Sequence, residues 1–186
     1  MRAAHRGVRF QPQVKTVLLI GTRHDYQRPG NPGSEEFRAL VAATCRDQDI
    51  KAIGEEMNLD ALNLHGAKQS ICEQVAHSLR IQHHYCDPSI EEQKKLGIKE
   101  PGKSSPADFF CNPDRQDIDP EQRVSDAIRE RYWHQCLFKL AAWPVLFVCG
   151  CNHTVSFPAL LRANGIAVRV LFTNWVPSNR GDGSRL

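Results

Sequence analysis

The sequence lacks any long apolar run. Residues 17–20 (VLLI) are the longest uninterrupted aliphatic run near the N-terminus, far short of the ~20 residues of a membrane span. The basic stretch at residues 1–15 contains no apolar segment of the kind a secretory signal carries, so none is expected. An excess of one charge is lacking too. Lys and Arg number 24 against 21 Asp and Glu, too even a balance to mark a nucleic-acid surface. The seven cysteines are odd in number and lack paired spacing, and several sit in apolar runs as reduced thiols do. The expected setting is therefore the cytoplasm, with neither membrane nor nucleic acid as a partner. No internal repeat marks a solenoid.

What is present is the composition of a folded domain. With 186 residues, 41% hydrophobic and 24% charged, the chain fits one compact domain over residues 1–177 and a polar tail at 178–186. Residues 14–20, 49–54, 81–86, 145–149 and 167–172 read as strands; residues 58–80, 121–142 and 157–164 read as helical segments, and another helix starts at Ser34 and buries Phe37, Leu40, Val41 and Thr44. Ser34 has the form of an N-cap, and Ser89 with Glu92 that of a helix start. Strands alternating with helices predict an α/β fold with a mainly parallel sheet. The polar, Pro-containing stretch 98–120 is expected to be a long loop covering the site.

Two strands end alike. Residues 17–20 lead into Gly21-Thr22-Arg23-His24, and residues 145–149 lead into Gly150-Cys151-Asn152-His153. In an open α/β sheet, groups beyond the carboxyl ends of the strands converge on the functional crevice. Two more strands end in Glu55-Glu56 and in Asp87. Two imidazoles and up to three carboxylates at one rim are the composition of a divalent-metal site or of a His/Glu pair that activates water.

These residues resemble the TraB/PrgY/Tiki (GumN-like) family, within the wider group that includes erythromycin esterase and the haem-binding lipoprotein ChaN. The match is best from Val148 through Gly150 and His153 to the Ala159–Gly165 helix and the strand ending at Leu171. The resemblance implies a single α/β domain of that type. It also places Glu130-Arg131 where the family carries a Glu-Arg pair. Relatives with paired Gly-x-x-His motifs resemble metal-dependent proteases, and the esterase branch is thought to activate water without metal.

The expected chemistry is hydrolysis of an ester, peptide or amide in a small-molecule or short-peptide substrate. In the metal version, His24, His153 and one glutamate hold Mn, Zn, Co, Ni or Fe, and the ion acidifies bound water. The second glutamate or Asp87 then accepts a proton. Glu55 and Glu56 are adjacent and point to opposite faces of a strand. The register of the resemblance favours Glu55 beside the histidines. Arg131, three residues after Ile128 and seven after Val124, is expected to point inward and stabilise an anion or join a buried ion pair. The Cys149-x-Cys151 pair is a weak zinc signal. The alternative is a non-catalytic binding protein on the same scaffold.

Overall fold

The computed structural model describes residues 14–99 and 120–178. Five strands make one sheet: β1 Thr16–Thr22, β2 Ala52–Glu55, β3 Gln82–Tyr85, β4 Val145–Gly150 and β5 Ala167–Trp175. Their order is β3-β2-β4-β1-β5, and every pairing is parallel. The helices are α1 Ser34–Asp47, α2 Leu59–Leu64, α3 Ile71–Leu79, α4 Ile90–Leu96, α5 Pro120–Lys139 and α6 Ser156–Ala163.

Alternation along the central strands divides the core in two. Val17 and Leu19 of β1, with Val145, Phe147 and Cys149 of β4, meet Trp133, Cys136 and Leu137 of α5 and Phe157 and Leu161 of α6. Leu18 and Ile20, with Leu146 and Val148, meet Phe37 and Val41 of α1 and Ile71 and Val75 of α3. Both faces of β1 and β4 are therefore covered, which explains their unbroken apolar sequences. Fully burying each large apolar side chain contributes roughly 1.5–3 kcal/mol.

Local signals set the helix ends. Ser70 accepts from the Glu73 N–H and starts α3 after the break at Gly66, whose φ is +68°. Ser89 and Glu92 form a reciprocal capping box on α4. At α1 the expected cap moves by one residue. Gly33 holds the cap position at φ 86°, and Ser34 is the first helical residue, its hydroxyl donating to the Arg28 carbonyl. Pro120 opens α5, as proline suits a first helical turn. No helix among the described residues is long and apolar enough to cross a membrane. Most of the loop expected at 98–120, and the tail beyond residue 178, lie outside the described residues.

Parallel pairing sends the carboxyl ends of all five strands to one rim. Because β4 lies between β2 and β1, the segments after these three strands become neighbours there.

Candidate functional site

The rim is organised around Glu56. Its backbone N–H donates to the Val148 carbonyl at 2.8 Å. That contact ties the end of β2 to β4, and the side chain then crosses beneath Gly150. The Gly150 N–H donates to Glu56 Oε2 at 2.6 Å. The other oxygen, Oε1, faces three cationic or potentially cationic groups. Arg129 Nη2 lies at 3.0 Å, and His24 Nε2 and His153 Nε2 each lie at 3.6 Å.

Each partner arrives from a different element. His24 opens a short 3-10 turn after β1, and its side chain is 47% exposed. His153 ends a matching turn after β4 and is 6% exposed. Its Nδ1–H donates to Glu130 Oε1 at 2.8 Å, and the Ser156 hydroxyl donates to the same oxygen at 2.5 Å. The indole of Trp133 packs edge-on against the His153 ring at 4.7 Å. A carboxylate on Nδ1 fixes the ring and aims Nε2 at Glu56. At His24 the side-chain amide of Gln27 lies 3.4 Å from Nδ1.

Arg129 is clamped from below. Its Nη2 and Nε contact Asp87 Oδ1 at 2.8 and 2.9 Å. Trp133 Nε1–H donates to the same oxygen at 3.1 Å, and Asn58 donates to Asp87 Oδ2 at 3.1 Å. The guanidinium thus bridges the segments that follow β2 and β3.

Charge follows this geometry. Burial works against ionisation of Glu56, but His153, Arg129, His24 and the Gly150 N–H outweigh it and hold the carboxyl down at about 2. Burial likewise opposes charge on His153, yet Glu56 and the Glu130 hydrogen bond raise its pKa above the ordinary value. Arg129 is also shifted upward, because Glu56 and Asp87 overcome its desolvation. The rim therefore holds a buried ionised carboxylate, a buried histidine whose pKa its carboxylate neighbours raise, and a half-exposed histidine.

Two expectations are corrected. Glu55 does not join the histidines. It follows Ile53 onto the α3 face of the sheet, where it accepts from Ser70 and, at 2.7 Å, from His83 Nε2. Glu56 follows Ala52 and Gly54 onto the α5 face, so strand parity overrules the register favoured by the resemblance. Arg131 does not point inward but is exposed. At ~100° per residue it lies ~200° around α5 from Arg129, and Val124, used to place its stripe, is 59% exposed. The buried stripe is Ser125, Glu130, Trp133, Cys136 and Leu137. Extended backward from Trp133 by one turn, that stripe reaches Arg129, a signal that sequence reasoning missed.

Asp25 pairs with Arg23 and Arg28. Asp87 is engaged by Arg129, Trp133 and Asn58, which leaves it poorly placed as a proton acceptor. Cys149 lies under the site as a thiol, its pKa pushed well up by burial and then by Glu56 and Glu130. Cys151 takes part in a disulfide. Neither sulfur is therefore a ready zinc ligand.

Two imidazoles and a carboxylate suit a borderline divalent ion in kind. In spacing, no group of three or more His, Cys, Asp or Glu side chains among the described residues is set to hold a metal ion. The shared Glu56 oxygen also carries Arg129.

The chain matches no protein-family model, and no curated protein and no solved structure is significantly similar to it.

Proposed function

We propose that this chain is a small hydrolase in which His24 and Glu56 activate water for attack on an ester, peptide or amide carbonyl. The observation that carries the reading is the convergence of His24 and His153, each 3.6 Å from one ionised oxygen of Glu56. A water molecule at ~2.8 Å from both His24 Nε2 and Glu56 Oε1 satisfies that spacing. Glu56 is too acidic to take a proton near neutral pH, so the base is His24. The Glu56 carboxylate then stabilises the imidazolium that forms, as an acidic neighbour does for a catalytic histidine. His153, its Nδ1–H held by Glu130, turns Nε2 to the same Glu56 oxygen and helps to keep that carboxylate ionised. Arg129 keeps Glu56 ionised and fixed in place. The likeness to the TraB/PrgY/Tiki family supports the same reaction class, with a small molecule or short peptide as substrate.

A bound divalent ion would be another way of acidifying the same water. The cytoplasm is the proposed compartment, supported by five free buried thiols among the described residues. The Cys151 disulfide pulls the other way. Alkylation of Cys151 in freshly lysed cells, complete or absent, separates the two.

The deciding experiment screens the purified chain against aryl esters, aminoacyl anilides and short peptides, with and without chelator. Turnover that survives chelation and is lost in folded His24→Gln and Glu56→Gln variants supports the reading. Turnover abolished by chelator and restored by one added ion replaces water activation by His24 with metal activation. A folded wild type inert toward every class leaves the non-catalytic binding protein.

A further inference from the structure

We propose that a cavity on the same rim holds the terminal carboxylate of a short peptide substrate. The proposal rests on the hydrolase reading and gives its substrate a class. Arg28, Pro29, Gly30 and Asn31 come from the loop after the His24–Gln27 turn. With His65 and Ala67, from the connection between α2 and α3, they line a space of about 190 Å³. Pockets for whole small molecules run to ~300–1,000 Å³. This one suits a single small group at the end of a longer ligand.

Charge decides the kind of group. Asp25 takes Arg23 on one carboxylate oxygen, at 2.9 Å, and Arg28 on the other. Two guanidinium groups share one carboxylate, so the trio keeps a net positive charge. Arg28 reaches Asp25 through Nη2 alone, and its Nε is buried with no hydrogen-bond partner among the described residues. A buried donor left without an acceptor at a cavity wall calls for one. Among the described residues no acid lines the cavity, while the His65 ring and the Asn31 amide add polar edges. The planar guanidinium fork matches a carboxylate in shape as well as in sign.

The loop is braced before any ligand arrives. The Ser34 hydroxyl and the Asn31 side-chain amide donate to the Arg28 carbonyl at 2.6 and 3.3 Å. Gly30, at φ +83°, has open space where a Cβ would stand. Position then sets the reach. Arg28 comes four residues after His24 across a 3-10 turn, which rises ~2 Å per residue and so separates the two by ~8 Å. An extended peptide covers ~3.3–3.6 Å per residue. A carboxylate in the cavity therefore ends a chain two or three residues beyond the bond that His24 addresses.

The test measures binding of N-acetyl-trialanine, as free acid and as carboxamide, to the full chain by isothermal titration calorimetry. The free acid should bind at least about tenfold more tightly, the scale of one charge-assisted pair. Arg28→Gln should erase that preference, and Arg28→Lys should keep part of it. Arg131→Gln, at an exposed position on α5, should keep all of it. Ala67→Phe fills the cavity without touching a charge and should also erase the preference, which keeps the test decisive if Arg28→Gln does not fold. Equal binding of acid and amide by the wild type, or binding of neither, overturns the proposal. So does a preference that survives Ala67→Phe, or binding of inorganic phosphate without binding of the free acid. Binding is read without turnover, so the two readings fail separately. A preference for the acid in a chain that cleaves no peptide removes the hydrolase and leaves the carboxylate site, whereas peptide cleavage without the preference removes the site alone.

Discussion

Arg129 Nη2 lies 3.0 Å from Glu56 Oε1, and the same guanidinium grips Asp87. Two neighbouring sites on α5 thus have opposite expected sensitivities. Arg129→Ala strands two buried carboxylates and should cost ~3–5 kcal/mol of stability. Arg131→Ala, at an exposed position, should stay within ~0.5 kcal/mol of wild type. Urea unfolding of the two variants side by side checks this, and equal losses would mean that the clamp does not exist.

Glu56 offers the sharpest separation of chemistry from folding. Glu56→Gln keeps the side chain's size and its acceptor for the Gly150 N–H but removes the charge that His24 and His153 face. Turnover should fall ~100-fold or more, the scale of losing one preorganised electrostatic partner. Glu55→Gln, on the other face of the sheet, should leave kcat within a few-fold and affect mainly stability through Ser70 and His83. A kinetic loss at Glu55 matching that at Glu56 would remove the assignment.

Stability should also depend on pH at both ends. The folded pKa of Glu56, about 2, lies below the ordinary 4.5. Its contribution is therefore present above about 4.5 and lost as pH falls toward 2, and at ~1.4 kcal/mol per unit it is on the order of 3 kcal/mol. His153 shifts the opposite way, above 6.5. Its contribution is complete below 6.5 and disappears as pH rises through the elevated value. Unfolding free energy should peak between these limits. Glu56→Gln should flatten the acid limb and His153→Asn the alkaline one. A profile unchanged in slope by either substitution would show that neither group carries the linkage.

The sheet was legible because β1 and β4 are apolar on both faces and stop near glycines, the signature of central parallel strands. The convergence of His24 and His153 followed from that topology. The identity of the glutamate did not. Adjacent residues of β2 face opposite helices, and nothing within Ala52-Ile53-Gly54 says which face receives α5. On α5, the exposed Val124 imitates a buried stripe, while the buried Ser125 and Glu130 are polar. Apolar spacing alone therefore points two residues too far, to Arg131. Arg129 becomes visible only when Trp133 is taken as the anchor and the stripe is followed back one turn.

The two echoed glycines should respond to the same substitution for different reasons. A Cβ built on Gly21 would lie 2.2 Å from Thr154 Cγ2 and 2.4 Å from the Thr173 carbonyl oxygen. The second contact is to the backbone of β5, which cannot move without unzipping its pairing with β1. Gly21→Ala should therefore lose ~1–3 kcal/mol of stability. At Gly150 a Cβ would meet only side-chain atoms, 3.2 Å from Glu56 Oε2 and 3.3 Å from His24 Nε2. The backbone there, at φ −60° and ψ 146°, is open to any residue. Gly150→Ala should fold nearly as well as wild type, but its methyl group projects toward the space that His24 and Glu56 share. Displacing the water or the substrate carbonyl there by ~1 Å can cost ~100-fold in rate. Thermal melts beside a rate assay separate the two effects. A Gly150→Ala variant with the full activity of wild type would mean that the proposed bond cleavage takes place away from the gap between His24 and Glu56.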